Sequence, residues 1–325
     1  MDTNNQGILV EDPLLETFLK SKCKELSRFK KNIYQFPGSQ PATLTKENID
    51  TIDNHWMVAE KTDGTRYLLL IIHNDLYDTQ KYGHTFLVDR KYRFYGLTFM
   101  NDILINENLI LLNNTLLDGE LAMDNDILTY YVFDNLSIGG TYFGNENFNE
   151  RLVMASKYFI SKIYGGDIRF MIKKILPVTS DNINELFIEI KNLPHDNDGL
   201  IFTNNDVSYP FGSTKEILKW KPQKEATVDF NIEYNDGIWN LIAFVKNSSF
   251  VYDNIELDEE QEKQVLSIPS NKKVIEAILN KESNTWEFVR IRPNKVRGNE
   301  IITIVNVLDS YKNEITDKEL IQHFV

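Results

Sequence analysis

The stretch Glu60-Lys61-Thr62-Asp63-Gly64-Thr65-Arg66 decides how this chain is read. It lies between two strand-like runs, 56–61 and 67–73, and its glycine marks a tight turn that brings a lysine, an acid and an arginine to the mouth of a sheet. Lys61 is a candidate nucleophile. An amine that titrates at about 10.4 when free must lose its proton to attack near neutral pH, and neighbouring cations or a dry pocket promote that loss. An ordinary hairpin-turn lysine is the competing reading, but a Lys-x-Asp-Gly-x-Arg pattern arises by chance in only about one of several hundred chains this long.

Working outward, Leu14, Leu15, Phe18, Leu19, Leu26 and Phe29 recur near helical spacing and predict an amphipathic helix over 13–31. Two prolines and a glycine predict a loop over 36–41. Further strands are expected at 85–89, 116–123, 128–133, 199–203 and 217–221, with helices at 150–164 and 182–191, so the first domain reads as mixed α+β with antiparallel sheets. From Thr227 short alternating strands (228–234, 239–245, 286–292) predict a small β-barrel. The acidic stretch 253–262 predicts a solvated loop. Thr316-Asp317-Lys318-Glu319 is a capping-box pattern for a terminal helix. The expected division is 1–225, 226–312, and a helix in 313–325 that packs back on the first domain.

A chain of 325 residues exceeds what one core usually supports, and 42% hydrophobic with 26% charged residues is ordinary globular composition. The single cysteine, Cys23, excludes an intramolecular disulfide and any multi-cysteine zinc site, and the five histidines show no metal-ligand spacing. The apolar run Tyr67 to Ile72 is far too short to span a bilayer, and no membrane association is expected. A net charge of -13 argues, for the chain as a whole, against a nucleic-acid partner.

Other charged groups punctuate the predicted strands: Asp118-Gly119-Glu120, Asp198-Gly199, and Lys219-Trp220-Lys221-Pro222. The period of two in a strand puts Lys219 and Lys221 on one face and Leu218 and Trp220 on the other. Two lysines side by side suit a bound phosphate, although an exposed strand face would also tolerate them. Glu120 and Asp198 are candidate metal or ribose ligands, since Mg²⁺ takes one or two carboxylates plus phosphate oxygens.

Together these residues resemble, in order and from about Phe36 to Asn299, the covalent lysyl-nucleotidyl transferases, and specifically the eukaryotic-type mRNA capping guanylyltransferases. Lys61-Thr62-Asp63-Gly64-Thr65-Arg66 is similar to their nucleophile motif and Leu117-Asp118-Gly119-Glu120 to the third motif. Tyr131-Val132-Phe133-Asp134 resembles the base-stacking motif, Asp198-Gly199-Leu200-Ile201-Phe202 the fourth, and Ile217-Leu218-Lys219-Trp220-Lys221-Pro222 the fifth. The 36–41 loop and the Leu-Lys-Trp-Lys-Pro form point to capping rather than ligation.

The resemblance implies a DNA-ligase-like (ATP-grasp) nucleotidyltransferase domain followed by an OB-fold barrel that closes over the nucleotide. It implies that Lys61 takes GMP from GTP, with Mg²⁺ or Mn²⁺, and passes it to 5′-diphosphate RNA to form a GpppN cap. It further implies that Arg66 and Glu120 hold the ribose, Phe133 stacks on guanine, Asp198 sits with the metal, and Lys219 and Lys221 grip the α-phosphate. Arg90 and Lys174 align with phosphate or base contacts, and Arg290, Arg292 and Lys295, near Trp286, match the last motif. There the chain departs from the family pattern, with Asn294 in place of an aspartate and Gly298-Asn299 in place of Pro-Asn.

An ATP-dependent polynucleotide ligase is the rival enzyme, and an inactive module binding RNA 5′ ends or a polymerase tail is the rival from another class. RNA triphosphatase and cap methyltransferase activities are expected on separate chains, the phosphorylated tail of RNA polymerase II is a further expected partner, and the expected location is the nucleus, or the cytoplasm for a viral or cytoplasmic element. Bases concentrate at 215–224 and 290–297 although both domains are acidic. Long single-stranded RNA is therefore expected to bind weakly at physiological salt, as a filter-binding titration would show.

Overall fold

The computed structural model describes residues 7–73, 79–98, 112–157, 162–164, 168–222, 227–269, 273–280, 283–313 and 315–325. One compact unit comprises Met1–Lys221 together with Thr316–Val325, and the other comprises Pro222–Ile315. The expected boundary at 225/226 and the basic residue Lys224 lie outside the described residues.

Two sheets build the first unit. The larger runs in the order Ile8–Leu9, Phe94–Gly96, Thr85–Val88, Thr65–Ile71, Thr115–Asp124, Ile127–Ile138, Ile168–Ile172, Lys162–Tyr164, with Thr141–Tyr142 attached to Ile127–Ile138. The smaller is Leu176–Pro177, Trp56–Thr62, Asn197–Asn204, Gly212–Trp220, Ser39–Thr43. Pairing is antiparallel apart from Ile168–Ile172 on Ile127–Ile138 and Ser39–Thr43 on Gly212–Trp220.

The uninterrupted apolar run at 67–72 follows from burial on both faces of the larger sheet. Tyr67, Leu69 and Ile71 enter one core with Leu117, Leu121, Tyr130 and Val132. Leu68, Leu70 and Ile72 enter another beneath the helix Pro13–Ser27, where Leu15, Leu19, Cys23 and Leu26 are buried. Asp12 caps that helix by accepting from Leu14 N at 2.8 Å, Pro13 needs no donor partner in the first turn, and Arg28 closes the helix in a left-handed conformation at φ 52°. The helix is thus shorter than the hydrophobic spacing predicted.

Three further expectations are corrected. Residues 39–43 of the proline-rich stretch form an edge strand, because a proline at a sheet edge leaves no buried carbonyl unpaired. The helix expected over 150–164 is Phe148–Ser156, and Lys162–Tyr164 is a strand pairing with Ile168–Ile172. The acidic stretch is the end of the strand Ser248–Ile255 followed by the helix Glu259–Leu266, whose first turn gathers acids where the helix dipole favours them, behind an Asp258/Gln261 capping box.

The second unit is a closed barrel in the order Thr227–Asn235, Ile238–Val245, Ser248–Ile255, Trp286–Ile291, Val274–Leu279, with a helix at Ile301–Lys312. Phe230, Leu241, Ala243, Ile275, Ala277 and Ile304 are fully buried in its core. Gly298 and Asn299 latch onto the first barrel strand. Asn299 N donates to Asp229 O, Asp229 N donates to Asn299 Oδ1, and a Cβ at Gly298 would lie 2.7 Å from Asp229 O.

The tail helix Asp317–His323 starts at the expected capping box, Thr316 with Glu319. It lies on the first unit, with Leu320 buried, Phe324 stacked on Phe202 at 6.1 Å, and Lys46 paired to Glu319 at 3.1 Å.

On the outer face of the barrel, alternating with the core residues Ile275 and Ala277, Glu276 accepts from Thr227 Oγ1, Arg290 Nε and Arg292 Nη1. Burial alone would raise its carboxyl, but these donors hold it down at about 2. Its stabilising contribution is therefore complete above the ordinary glutamate range and disappears as pH falls toward 2. Glu276→Gln is expected to destabilise the barrel by about 1 kcal/mol at pH 7. In urea melts the gap from wild type should close between pH 4.5 and 2.

Candidate active site

The residues around Lys61 do not form a hairpin. Trp56–Thr62 belongs to the smaller sheet and Thr65–Ile71 to the larger one, so the chain changes sheets at Asp63-Gly64. Asp63 N donates to Asp196 O at 2.8 Å on the smaller-sheet side, while Thr65 pairs with Leu121 on the other. A Cβ on Gly64 would sit 2.5 Å from Leu121 O, so the crossing has no room for a side chain. Lys61 therefore stands at the base of a cleft between the sheets.

Lys61 Nζ donates to Asp198 Oδ1 at 2.5 Å, and Lys221 donates to the other carboxylate oxygen. A register shift between Asn197 and Leu200 aims Asp198 at these lysines. Gly199, at φ 141°, permits it, because a Cβ there would lie 2.0 Å from Trp220 O. Burial works against the Asp198 charge, but the two ammonium groups hold its carboxyl below the usual range. Lys219 lies opposite Ile201, with the Leu218 and Trp220 side chains buried on the other face as the period of two requires. Among the described residues Lys219 Nζ forms no ion pair.

Phe133 is the partly exposed ring in the otherwise buried core of its strand and lines the cleft. Ile201, Ile217 and Met57 of the smaller sheet line it too, which leaves a slot suited to a flat ring. The Arg66 guanidinium lies 5.4 Å from the Phe133 ring centre. Arg66 is otherwise fully engaged: Nε and Nη2 grip Asp118, and Nη1 donates to Ser39 O. Glu120 reaches the cleft beside Gly64, with its carboxyl raised by burial in spite of Lys173 and Lys61. Arg90 lines the cleft from an exposed position.

Two expectations need correction. Lys174 points away from the cleft onto Glu185 at 2.8 Å and Glu189 at 2.6 Å, while Lys173 lines it. Lys173 N extends the strand pairing by donating to Val132 O, so the alternation turns Lys173 inward and Lys174 outward. Arg290, Arg292 and Lys295, expected to match the last motif that meets the nucleotide, are engaged by acids of their own barrel, Glu276 and Asp229. Those acids sit on neighbouring strands, where sequence distance concealed them. Asn294 is exposed.

Sequence reasoning also missed Glu60, Lys173 and His195. The carboxylate of Glu60 accepts from Thr62 Oγ1 at 3.0 Å, from Lys173, and from His195 Nε2 at 2.9 Å. The signal available was only the adjacency of Glu60 to Lys61 and of His195 to the Asp198 turn.

Among the described residues no group of three or more His, Cys, Asp or Glu side chains could cage a metal. Asp198, beside Lys61 and Lys221, nevertheless fits the hard-oxygen pattern of Mg²⁺, in which one or two carboxylates are completed by substrate phosphate and water.

A lysine at a sheet crossing, paired to one acid among further cations and facing an aromatic slot, is an arrangement suited to a nucleotidyltransferase. The family model for the mRNA capping enzyme catalytic domain matches residues 9–223, and that for the mRNA capping enzyme C-terminal domain matches 211–321. The chain is 29% identical to the mRNA-capping enzyme subunit alpha of Schizosaccharomyces pombe, over 88% of this chain and 79% of that one. It is 27% identical to the subunit alpha of Saccharomyces cerevisiae, over 93% and 81%. To the mRNA-capping enzyme of Danio rerio it is 29% identical, over 94% of this chain and 52% of that one. The chain belongs to the mRNA capping enzyme family.

The inward and outward lysines should separate in binding. Lys173→Met is expected to weaken nucleotide affinity by about tenfold or more, as loss of a charge-assisted contact does. Lys174→Ala should stay within about twofold of wild type, as for an exposed ion pair. Calorimetric titration with GTP checks both.

Proposed function

We propose that the chain is an mRNA guanylyltransferase in which Lys61 carries GMP from GTP to the 5′-diphosphate end of RNA. The observation that carries this reading is the Lys61–Asp198–Lys221 arrangement at the base of the cleft. In the first step the Lys61 nitrogen, having lost a proton, forms a bond to the α-phosphorus of GTP and the bond to pyrophosphate breaks. In the second step a terminal oxygen of the RNA diphosphate forms the new bond to that phosphorus, and the N–P bond breaks to regenerate the lysine.

Each residue has a task in these steps. Phe133 stacks on guanine, and Glu120 accepts from ribose hydroxyls. Arg66, expected to hold the ribose, has its guanidinium taken up by Asp118 and Ser39 and instead fixes the wall behind the Phe133 ring. Lys219 and Lys221 neutralise the non-bridging oxygens as charge gathers on them, Lys221 exchanging its Asp198 contact for phosphate. Asp198 would hold a divalent cation, which supplies further positive charge to the phosphates when bound.

The relatives named subunit alpha support assembly with a second polypeptide. We assign the RNA triphosphatase and cap methyltransferase activities to separate chains, place the protein in the nucleus, and take the phosphorylated tail of RNA polymerase II as its recruiting partner.

Incubation with α-labelled GTP and Mg²⁺ should leave covalent label, stable to alkali and labile in acid as an N–P bond is, on the wild-type protein and none on Lys61→Ala. Transfer to diphosphate-ended RNA should then yield a GpppN terminus. Equal labelling of both proteins would overturn the mechanism, and labelling by ATP instead of GTP would favour a ligase.

A further inference from the structure

Behind the nucleotide cleft lies a second cavity, lined among others by Glu60, Asp124, Tyr131, Arg169, Lys173 and His195. Glu60 and Lys173 line both cavities, so they form the partition between them. His195 supports this partition from the rear, and its side chain is only 3% exposed.

Both ring nitrogens of His195 face carboxylates. Nε2 lies 2.9 Å from Glu60 Oε1, and Nδ1 lies 2.9 Å from Asp124 Oδ1. Nδ1 also lies 3.0 Å from the Tyr131 hydroxyl oxygen, but that hydroxyl gives its proton to Asp124 Oδ2, so a neutral imidazole would point a lone pair at one of the two anions and the geometry calls for the doubly protonated ring. Burial opposes the charge, yet Glu60 and Asp124 outweigh it and lift His195 above its ordinary pKa. Asp124 is itself anchored by the Tyr131 hydroxyl at 2.5 Å and by Arg169.

The consequence falls on Lys173. Glu60 Oε1 receives both Lys173 and His195, and Glu60 Oε2 makes no hydrogen bond among the described residues. With the imidazolium present the Glu60 charge is divided between two cations. Without it, Lys173 would be the one cation bonded to the buried Glu60 carboxylate among the described residues, and would be drawn more tightly to it.

We propose that His195 is a positioning residue for the nucleotide site: held between Glu60 and Asp124, its imidazolium shares the Glu60 carboxylate with Lys173 and so leaves the Lys173 ammonium available to the nucleotide. His195 does not line the nucleotide cleft and acts through these two side chains. The proposal rests on the guanylyl-transfer reading for the identity of the nucleotide.

His195→Gln keeps a side-chain donor but cannot carry charge. It is expected to raise the KM for GTP in adduct formation about tenfold, with kcat within about threefold of wild type. If His195 acts through Glu60, Glu60→Gln/His195→Gln should match Glu60→Gln alone within about twofold in KM. An unchanged KM in His195→Gln, a loss confined to kcat, or independent effects of the two substitutions would overturn the proposal. Should His195→Gln fail to fold, Asp124→Asn, which leaves the ring in place and removes the anion behind it, is expected to raise KM about threefold, and an unchanged KM would overturn the proposal equally. Calorimetric binding of GTP to Lys61→Ala and Lys61→Ala/His195→Gln reads the same effect without chemistry. Failure of the wild type to take label would overturn guanylyl transfer, whereas equal affinity of those two variants would overturn only the role of His195.

Discussion

The first unit depends on the chain leaving one sheet and entering another within two residues, at Asp63 and Gly64. Every other feature of the cleft is arranged around that crossing. It places the end of Trp56–Thr62 and the start of Thr65–Ile71 on opposite sides of a gap, and it fixes Lys61 where the gap begins. The close approach of Gly64 to the Leu121 carbonyl sets how near the Thr115–Asp124 strand comes, and with it the position of Glu120. A side chain at 64 would force these strands apart, at a cost of the size seen for overpacked cores, about 1–3 kcal/mol.

Buried charge holds the walls of the gap in place. Arg66 with Asp118 and Arg151 with Asp134 are ion pairs with almost no solvent exposure, and each arginine also donates to backbone carbonyls. Such pairs add little net stability over an apolar replacement, but losing one partner leaves an uncompensated charge and is strongly destabilising. Their directional bonds link distant segments. Arg66 joins Ser39 to the larger sheet, and Arg151 joins the Phe148–Ser156 helix to Val207 O and Asp134. The cleft is thereby fixed in shape before any nucleotide arrives.

Much of this was legible in the sequence, for identifiable reasons. The strands around Lys61, Glu120, Phe133, Asp198 and Lys219 were visible because their apolar runs are long and bounded by glycines and acids. The pairing of Lys219 with Lys221 on one face needed only the period of two. The sheet change at Gly64 was not visible, since a turn between two strands looks the same whether or not they pair. The choice of Lys173 over Lys174 depended on where the strand pairing with Val132 continued, a fact of register that neither residue announces. Glu60, Asp124 and His195 are brought together across three separate segments, and a lone histidine carries no sign of the two carboxylates that will flank it. The acids that pair with the basic residues of the barrel, Glu276 and Asp229, lie on other strands and so were hidden by sequence distance.

The return of Thr316–Val325 to the first unit makes the barrel an insertion within it. During synthesis the barrel is made before the segment that buries Leu320 and stacks Phe324 on Phe202. At translation rates of about 5–20 residues per second, the first unit must wait several seconds with the Phe202 ring lacking its stacking partner. Any helper that shields this surface on the ribosome would have to leave before the tail helix could dock. The order of manufacture thus makes completion of the catalytic unit a report that the barrel has already been made.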